Sequence, residues 1–203
     1  MTSKLFYNDL PKELILDGDV AIDTETMGLN LHRDKLCVLQ LSYGDGNAYL
    51  IKFDNGDYSA PNLKSILSDQ HRQKIFHFGR FDLAAIQKYM NLRLENIFCT
   101  KIASKLIRTY TDYHGLKELC RELLQVQISK QQQSSDWGAN NLTNEQIDYA
   151  GSDVLYLHAI REILTTKLQR EGRMELAKKL YEFLPIRADL DLMGWNDIDI
   201  FAH

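Results

Sequence analysis

Asp19-Val20-Ala21-Ile22-Asp23-Thr24-Glu25-Thr26 is the stretch from which the rest of the chain is read. Val20, Ala21 and Ile22 make a short β-type run that ends in two acids two positions apart. On a strand, residues i and i+2 leave the same face, so Asp23 and Glu25 project together. An Asp-x-Glu pair alone is common at solvated strand ends and carries little weight. It gains meaning from two further acidic motifs downstream.

Between and beyond these motifs, strand and helix signals alternate. Cys37–Tyr43 and Ala48–Phe53 flank Gly44-Asp45-Gly46-Asn47, the pattern of a β-hairpin. Pro61 opens a short helix to Leu67, Lys74–Phe78 reads as a buried strand, and Phe81–Met90 has helical spacing. From Thr100 onward the pattern is mostly helical, with Thr100 as a cap for a helix through Arg108 and Gly115-Leu116 opening another through Leu124. Lys130–Ser135 is polar and reads as a loop. Thr143 and Gln146 form a capping-box pair, and Ile147, Ala150, Val154, Leu157, Leu164 and Leu168 keep helical spacing behind it. With no linker to divide it, the chain is expected to form a single α/β domain in which a mixed sheet is followed by helices.

Two more acids fall at element ends. Asp82 opens a helix after a buried strand, a place where the helix dipole also favours a plain Asp. Tyr149 and Asp153 are four apart and stack on one helical face, whereas Asp148 turns away. Four carboxylates brought to one point repel unless cations lie between them. Mg²⁺ and Mn²⁺ prefer oxygen ligands and recur in pairs where phosphodiesters are cut, so the pattern points to metal-dependent nuclease chemistry.

The 24 Lys and Arg against 28 Asp and Glu give a net charge of −4. A protein that grips long nucleic acid usually shows a basic stripe. Here the cationic stretch is local, comprising Lys101, Lys105, Arg108, Lys117, Arg121 and Lys130, and suits one or two phosphates. No apolar run is long enough to span a membrane, and Met1-Thr2-Ser3-Lys4 leads into a polar segment. Cys37, Cys99 and Cys120 are scattered as thiols are in a reducing compartment, so a cytoplasmic setting is expected.

Taken together, the three acidic motifs resemble the DEDD superfamily of 3′→5′ exonucleases. Within it they match the subclass in which three residues separate a Tyr from the last Asp. The sibling subclass has a His five positions before that Asp, where this chain has Asp148; His158 lies on the wrong side of Asp153. The segment 130–137, followed by Leu142-Thr143 and Tyr149-Ala150, is similar to ribonuclease D. Two departures stand out. Asn140-Asn141 replaces the Arg-Pro common in those relatives, and those relatives commonly continue into helical nucleic-acid-binding domains, whereas this sequence stops at His203. Asp189–Phe201 alternates acidic and apolar residues around Gly194-Trp195, an extended period, and this ending resembles the nano-RNase C family.

The resemblance implies a ribonuclease H-like, DnaQ-like exonuclease fold with a mixed central sheet flanked by helices and a helical C-terminal half. Residues 1–185 are expected to form the exonuclease domain and 186–203 an extended arm in oligomer contacts. It implies that Asp23, Glu25, Asp82 and Asp153 hold two Mg²⁺ or Mn²⁺ ions and that Tyr149 orients the attacking water. The implied substrate is short RNA, dinucleotides above all, with a homo-oligomer, an octamer in that family, and no membrane partner. Leu29 would wedge between two bases or pack in the core. His77 and Phe78 would line a base pocket, or His77 would be a structural imidazole. Ser104, Lys105 and Arg108 would receive a 5′ phosphate or form a solvated helix face. Trp137 and Trp195 are expected to serve packing.

Overall fold

The computed structural model describes residues 2–129 and 131–203. Lys130, expected in the polar loop and in the cationic stretch, lies outside the described residues. Among the described residues, six strands, β1 (Thr2–Tyr7), β2 (Val20–Thr26), β3 (Leu36–Ser42), β4 (Asn47–Lys52), β5 (Lys74–Phe76) and β6 (Ile97–Cys99), form one mixed sheet in the order β1-β4-β3-β2-β5-β6. The pairs β2/β3 and β3/β4 are antiparallel, and the remaining three are parallel. β3 is buried along its whole length, which explains its almost unbroken apolar sequence.

Among the described residues there are seven α-helices: α1 (Pro61–Ser68), α2 (Arg80–Met90), α3 (Thr100–Ile107), α4 (Leu116–Leu119), α5 (Asn144–Leu155), α6 (Leu157–Arg170) and α7 (Met174–Leu192). α4 runs directly into a π-helical turn at Cys120–Leu124, which ends at Gln125 in the left-handed region. The expected hairpin forms between β3 and β4, with Gly44 and Gly46 both at positive φ. The capping box at the start of α5 is complete. Thr143 Oγ1 accepts from the Gln146 N–H, and Gln146 Oε1 accepts from the Thr143 N–H.

Several expectations are corrected. Thr2–Tyr7, read as a polar lead-in, is an edge strand paired with β4; Leu5 and Phe6, on its opposite faces, are both partly buried against the core. The helical stretch behind Thr143 is two helices, because the backbone breaks step at Tyr156. Thr100 does not cap α3 with its side chain; its hydroxyl donates to the Phe76 carbonyl instead.

The arm expected to be extended from residue 186 is helical through Leu192. Its acids find cationic partners that suit a helix: Asp189 pairs with Arg93 and Asp191 with Arg80 and Arg187. The helix then closes on Gly194, at φ 99°. The Gly194 N–H donates to the Asp191 carbonyl and the Trp195 N–H to the Leu190 carbonyl. This is the paired bonding of a Schellman cap. The remaining residues turn back along α7, where the Phe201 ring lies 6.2 Å from that of Phe183.

Candidate active site

β2 delivers the first two acids. Asp23 pairs across the sheet with Gln40 of β3, and the Gln40 amide donates to Asp23 Oδ2 at 2.7 Å. The register shifts after Glu25, so the strand bends where it leaves the acids behind. Gln40 was not anticipated. The signal was available, since it is the one amide inside the apolar run of β3, and strand pairing sets it opposite Asp23.

Asp82 stands in the first turn of α2 and is almost wholly buried. Thr24, the residue between the two acids of β2, donates its hydroxyl to Asp82 Oδ1 at 2.6 Å. That bond ties the second motif to the first. α2 starts closely against β5: a Cβ on Gly79 would come within 2.6 Å of the Phe76 Cβ, so only glycine fits there.

α5 brings Tyr149 and Asp153 onto the same region, and the Tyr149 hydroxyl is hydrogen-bonded to Asp153. The helix lies tight on the sheet at Gly151, where a Cβ would fall 2.3 Å from Ser3 Oγ of β1 and 3.3 Å from the Ala48 Cβ of β4. Asp148 faces solvent, as expected.

Oxygen atoms of Asp23, Glu25 and Asp153 lie within 4.8 Å of one another. Asp82 falls outside that triad but acts on its charge. Burial first, then Asp82, Asp153 and Glu25, push the Asp23 carboxyl well above its ordinary range. Glu25 is raised to about 9 by burial and by Asp153 and Asp82. Burial raises Asp82 to about 6 against the hydrogen bond from Thr24. Tyr149 is also raised, by burial and then by the surrounding carboxylates, so it stays a neutral phenol.

A site that forces three carboxylates together and lifts the pKa values of Asp23 and Glu25 favours whatever replaces the protons. The donors are all oxygen, which suits hard divalent cations. Asp23, Glu25 and Asp153 would hold such ions, with Asp82 completing the charge.

The expected binding residues divide. Leu29 is 86% exposed, which removes core packing as its role. It lines a groove of about 620 Å³ together with Phe78, Arg80, Phe81 and Asn196. Phe78 holds a positive φ of 66°, a strained backbone for a side chain with a Cβ, and the Lys101 ammonium sits 3.9 Å from its ring centre. His77 Nδ1 lies 2.9 Å from Thr100 Oγ1. Because the Thr100 hydroxyl donates its proton to Phe76, His77 donates from Nδ1.

Ser104 and Arg108 are not presented to solvent. Arg108 is 1% exposed, pairs with Glu122 and donates to the Tyr113 carbonyl and Ser104 Oγ. Ser104 also meets His114 Nδ1 at 2.8 Å. Both buried, Arg108 paired with Glu122 and Ser104 bonded to Arg108 and His114, the two hold the 108–114 loop, which corrects the expectation that they face a phosphate. Lys105 remains exposed. Trp137 is buried as expected, whereas Trp195 is 42% exposed. No helix among the described residues is long and apolar enough to cross a membrane.

Residues 3–169 match the family described as 3′-5′ exonuclease. The chain superposes on Brucella melitensis NrnC bound to pGG with a TM-score of 0.96 at 55% identity, covering 100% of this chain and 99% of that one. The same enzyme with bound Mg²⁺ gives 0.95 at 54% identity, with both chains fully covered. Ribonuclease D of Gluconacetobacter diazotrophicus is 31% identical over 156 residues, 77% of this chain and 39% of that protein. The chain thus spans about two fifths of the length of the curated relatives it matches. The mixed sheet and flanking helices are those of the ribonuclease H-like, DnaQ-like fold. With the acids of all three motifs in place on that fold, the chain belongs to the 3′-5′ exonuclease family.

Proposed function

We propose that this protein is a 3′→5′ exoribonuclease that hydrolyses RNA dinucleotides and very short oligonucleotides to nucleoside 5′-monophosphates. The observation that carries this reading is the half-buried carboxylate cluster of Asp23, Glu25 and Asp153, beside which Leu29 and Phe78, close in sequence to the first two motifs, line a groove of about 620 Å³. A space of that size suits a small ligand rather than a long polymer. The likeness to NrnC bound to pGG supports the same substrate class.

In the reaction, water adds to phosphorus, the bond to the leaving 3′ oxygen breaks, and that oxygen takes up a proton. Asp23, Glu25, Asp82 and Asp153 would hold two Mg²⁺ or Mn²⁺ ions. When bound, these supply positive charge to the attacking water and to the leaving oxygen. Gln40 and Thr24 fix the carboxylates of Asp23 and Asp82 in orientation. Tyr149, held as a neutral phenol, orients the water by hydrogen bonding instead of removing its proton. Leu29 and Phe78 present apolar surface to the bases, His77 stands beside them, and Lys105 is the exposed cation left to meet the 5′ phosphate.

Assembly as a closed homo-oligomer, an octamer as in the resembling family, is supported by the apolar surface of α7 and the tail. Leu176, Leu180, Ile186, Ile198 and Phe201 are all exposed. Three unpaired buried cysteines support a cytoplasmic setting.

Turnover on an RNA ladder from two nucleotides upward tests the assignment. kcat/KM should be highest for the dinucleotide and fall with each added residue. A value that rises with length would favour a broader ribonuclease D-like enzyme that trims the 3′ ends of longer RNA or DNA.

A further inference from the structure

The turn Asp136-Trp137-Gly138 lies between the first and third motifs. On one side, a Cβ at Gly138 would come 3.3 Å from the Met27 Cε, two residues past Glu25. On the other, Gln146 in the first turn of α5 donates its amide to the Asp136 carbonyl at 3.2 Å. Between these anchors Trp137 is 2% exposed, and its ring centre stands 6.1 Å from that of Tyr149 with the planes at 37°. Offset aromatic pairs at this separation attract and restrict each other's orientation. The indole N–H finds no partner among the described residues, so what Trp137 contributes is its ring and not a hydrogen bond.

We propose that Trp137 is a positioning residue for hydrolysis: by packing against Tyr149 it fixes where the phenol hydroxyl stands relative to the carboxylates. Tyr149 is only partly buried and hangs from one face of α5. Without a neighbour on the ring, its hydroxyl would swing away from Asp153. Misplacement of a reacting group by about 1 Å can cost on the order of 100-fold in rate. The inference rests on the orienting role proposed for Tyr149.

Kinetics of Trp137→Ala, Trp137→Phe, Tyr149→Phe and the double variant Trp137→Ala/Tyr149→Phe on a dinucleotide would test it. Trp137→Ala should lower kcat by at least about tenfold while KM and the Mg²⁺ half-saturation stay within about twofold. Trp137→Phe should restore most of the rate. In the Tyr149→Phe background, Trp137→Ala should cost less than about threefold, because the hydroxyl it positions is gone. Full multiplication of the two losses, or a loss confined to KM or metal affinity, overturns the inference. If Trp137→Ala fails to unfold cooperatively, Gln146→Glu carries the test. It keeps the acceptor of the capping box but removes the donor to Asp136, and should slow kcat only when Tyr149 is present. An unchanged kcat for Gln146→Glu would then overturn the inference. Wild-type turnover by Tyr149→Phe would instead overturn the role of Tyr149 itself.

Discussion

Gly151 of the helix that carries Tyr149 and Asp153 rests on Ser3 of the edge strand, so closely that a Cβ there would stand 2.3 Å from the Ser3 hydroxyl. The depth at which α5 sits on the sheet is therefore set by β1, a strand far from the site in sequence. Gly151→Ala should lift the helix, lower kcat and destabilise the fold by about 1–3 kcal/mol. Ser3→Ala in the same chain should recover part of both losses, because it removes the closest atom. Thermal unfolding and kcat of the single and double variants check this, and additive effects would show that the two positions do not communicate.

Asp23→Asn should nearly abolish turnover yet stabilise the metal-free protein by about 1–2 kcal/mol, since it removes a carboxyl whose ionised form the burial and the neighbouring acids of the folded state penalise. The check is a melting curve in EDTA beside an activity assay in saturating Mg²⁺. A less stable metal-free variant would mean that the Gln40–Asp23 hydrogen bond outweighs the repulsion.

Metal dependence should itself depend on pH. In the metal-free fold Glu25 is raised to about 9 from an ordinary 4.5. The folded state then binds a proton that the unfolded state has already released, so stability falls as pH rises through that window. Bound cations relieve the repulsion. The gap in Tm between Mg²⁺ and EDTA should widen from about pH 6 to about pH 8.5 by a few degrees, given about 2–4 °C per kcal/mol for a chain of this size. A constant gap would mean that the cluster is not the metal site.

Leu29→Ala should leave stability within about 0.5 kcal/mol, because the side chain is already exposed. The same change should raise KM for a dinucleotide several-fold if Leu29 meets the bases. Matched melting and kinetic measurements separate the two effects, and an unchanged KM would remove Leu29 from the binding surface.

Truncation after Asp197 keeps α7, its Schellman cap and the bond from Arg80 to the Asn196 carbonyl, but removes Ile198, Ile200 and Phe201. If these residues cover a neighbouring subunit, light scattering should report a smaller species with an unchanged far-UV spectrum. An unaltered mass would place the interface on α7 alone.

Much of the chemistry was legible in the sequence because it depends on short-range spacing. Asp23 and Glu25 share a face by the strand period, Tyr149 and Asp153 by the helix period, and the Thr143–Gln146 box closes within four residues. These relations are local and survive any arrangement of the surrounding elements.

The rest was decided by partners distant in the chain. Ser104 and Arg108 read as a cationic helix face until Glu122 and His114 fold over them and take up their polar atoms. The alternation at Asp189–Leu192 reads as extended, yet Arg80 and Arg93 supply the charges that let those acids sit on a helix. Gln40 and Thr24 gain their roles only when strand pairing and helix docking set them against Asp23 and Asp82. Periodicity fixes which face a side chain occupies, but only the tertiary structure brings the second face, because charge pairing and burial are properties of two segments and not of one.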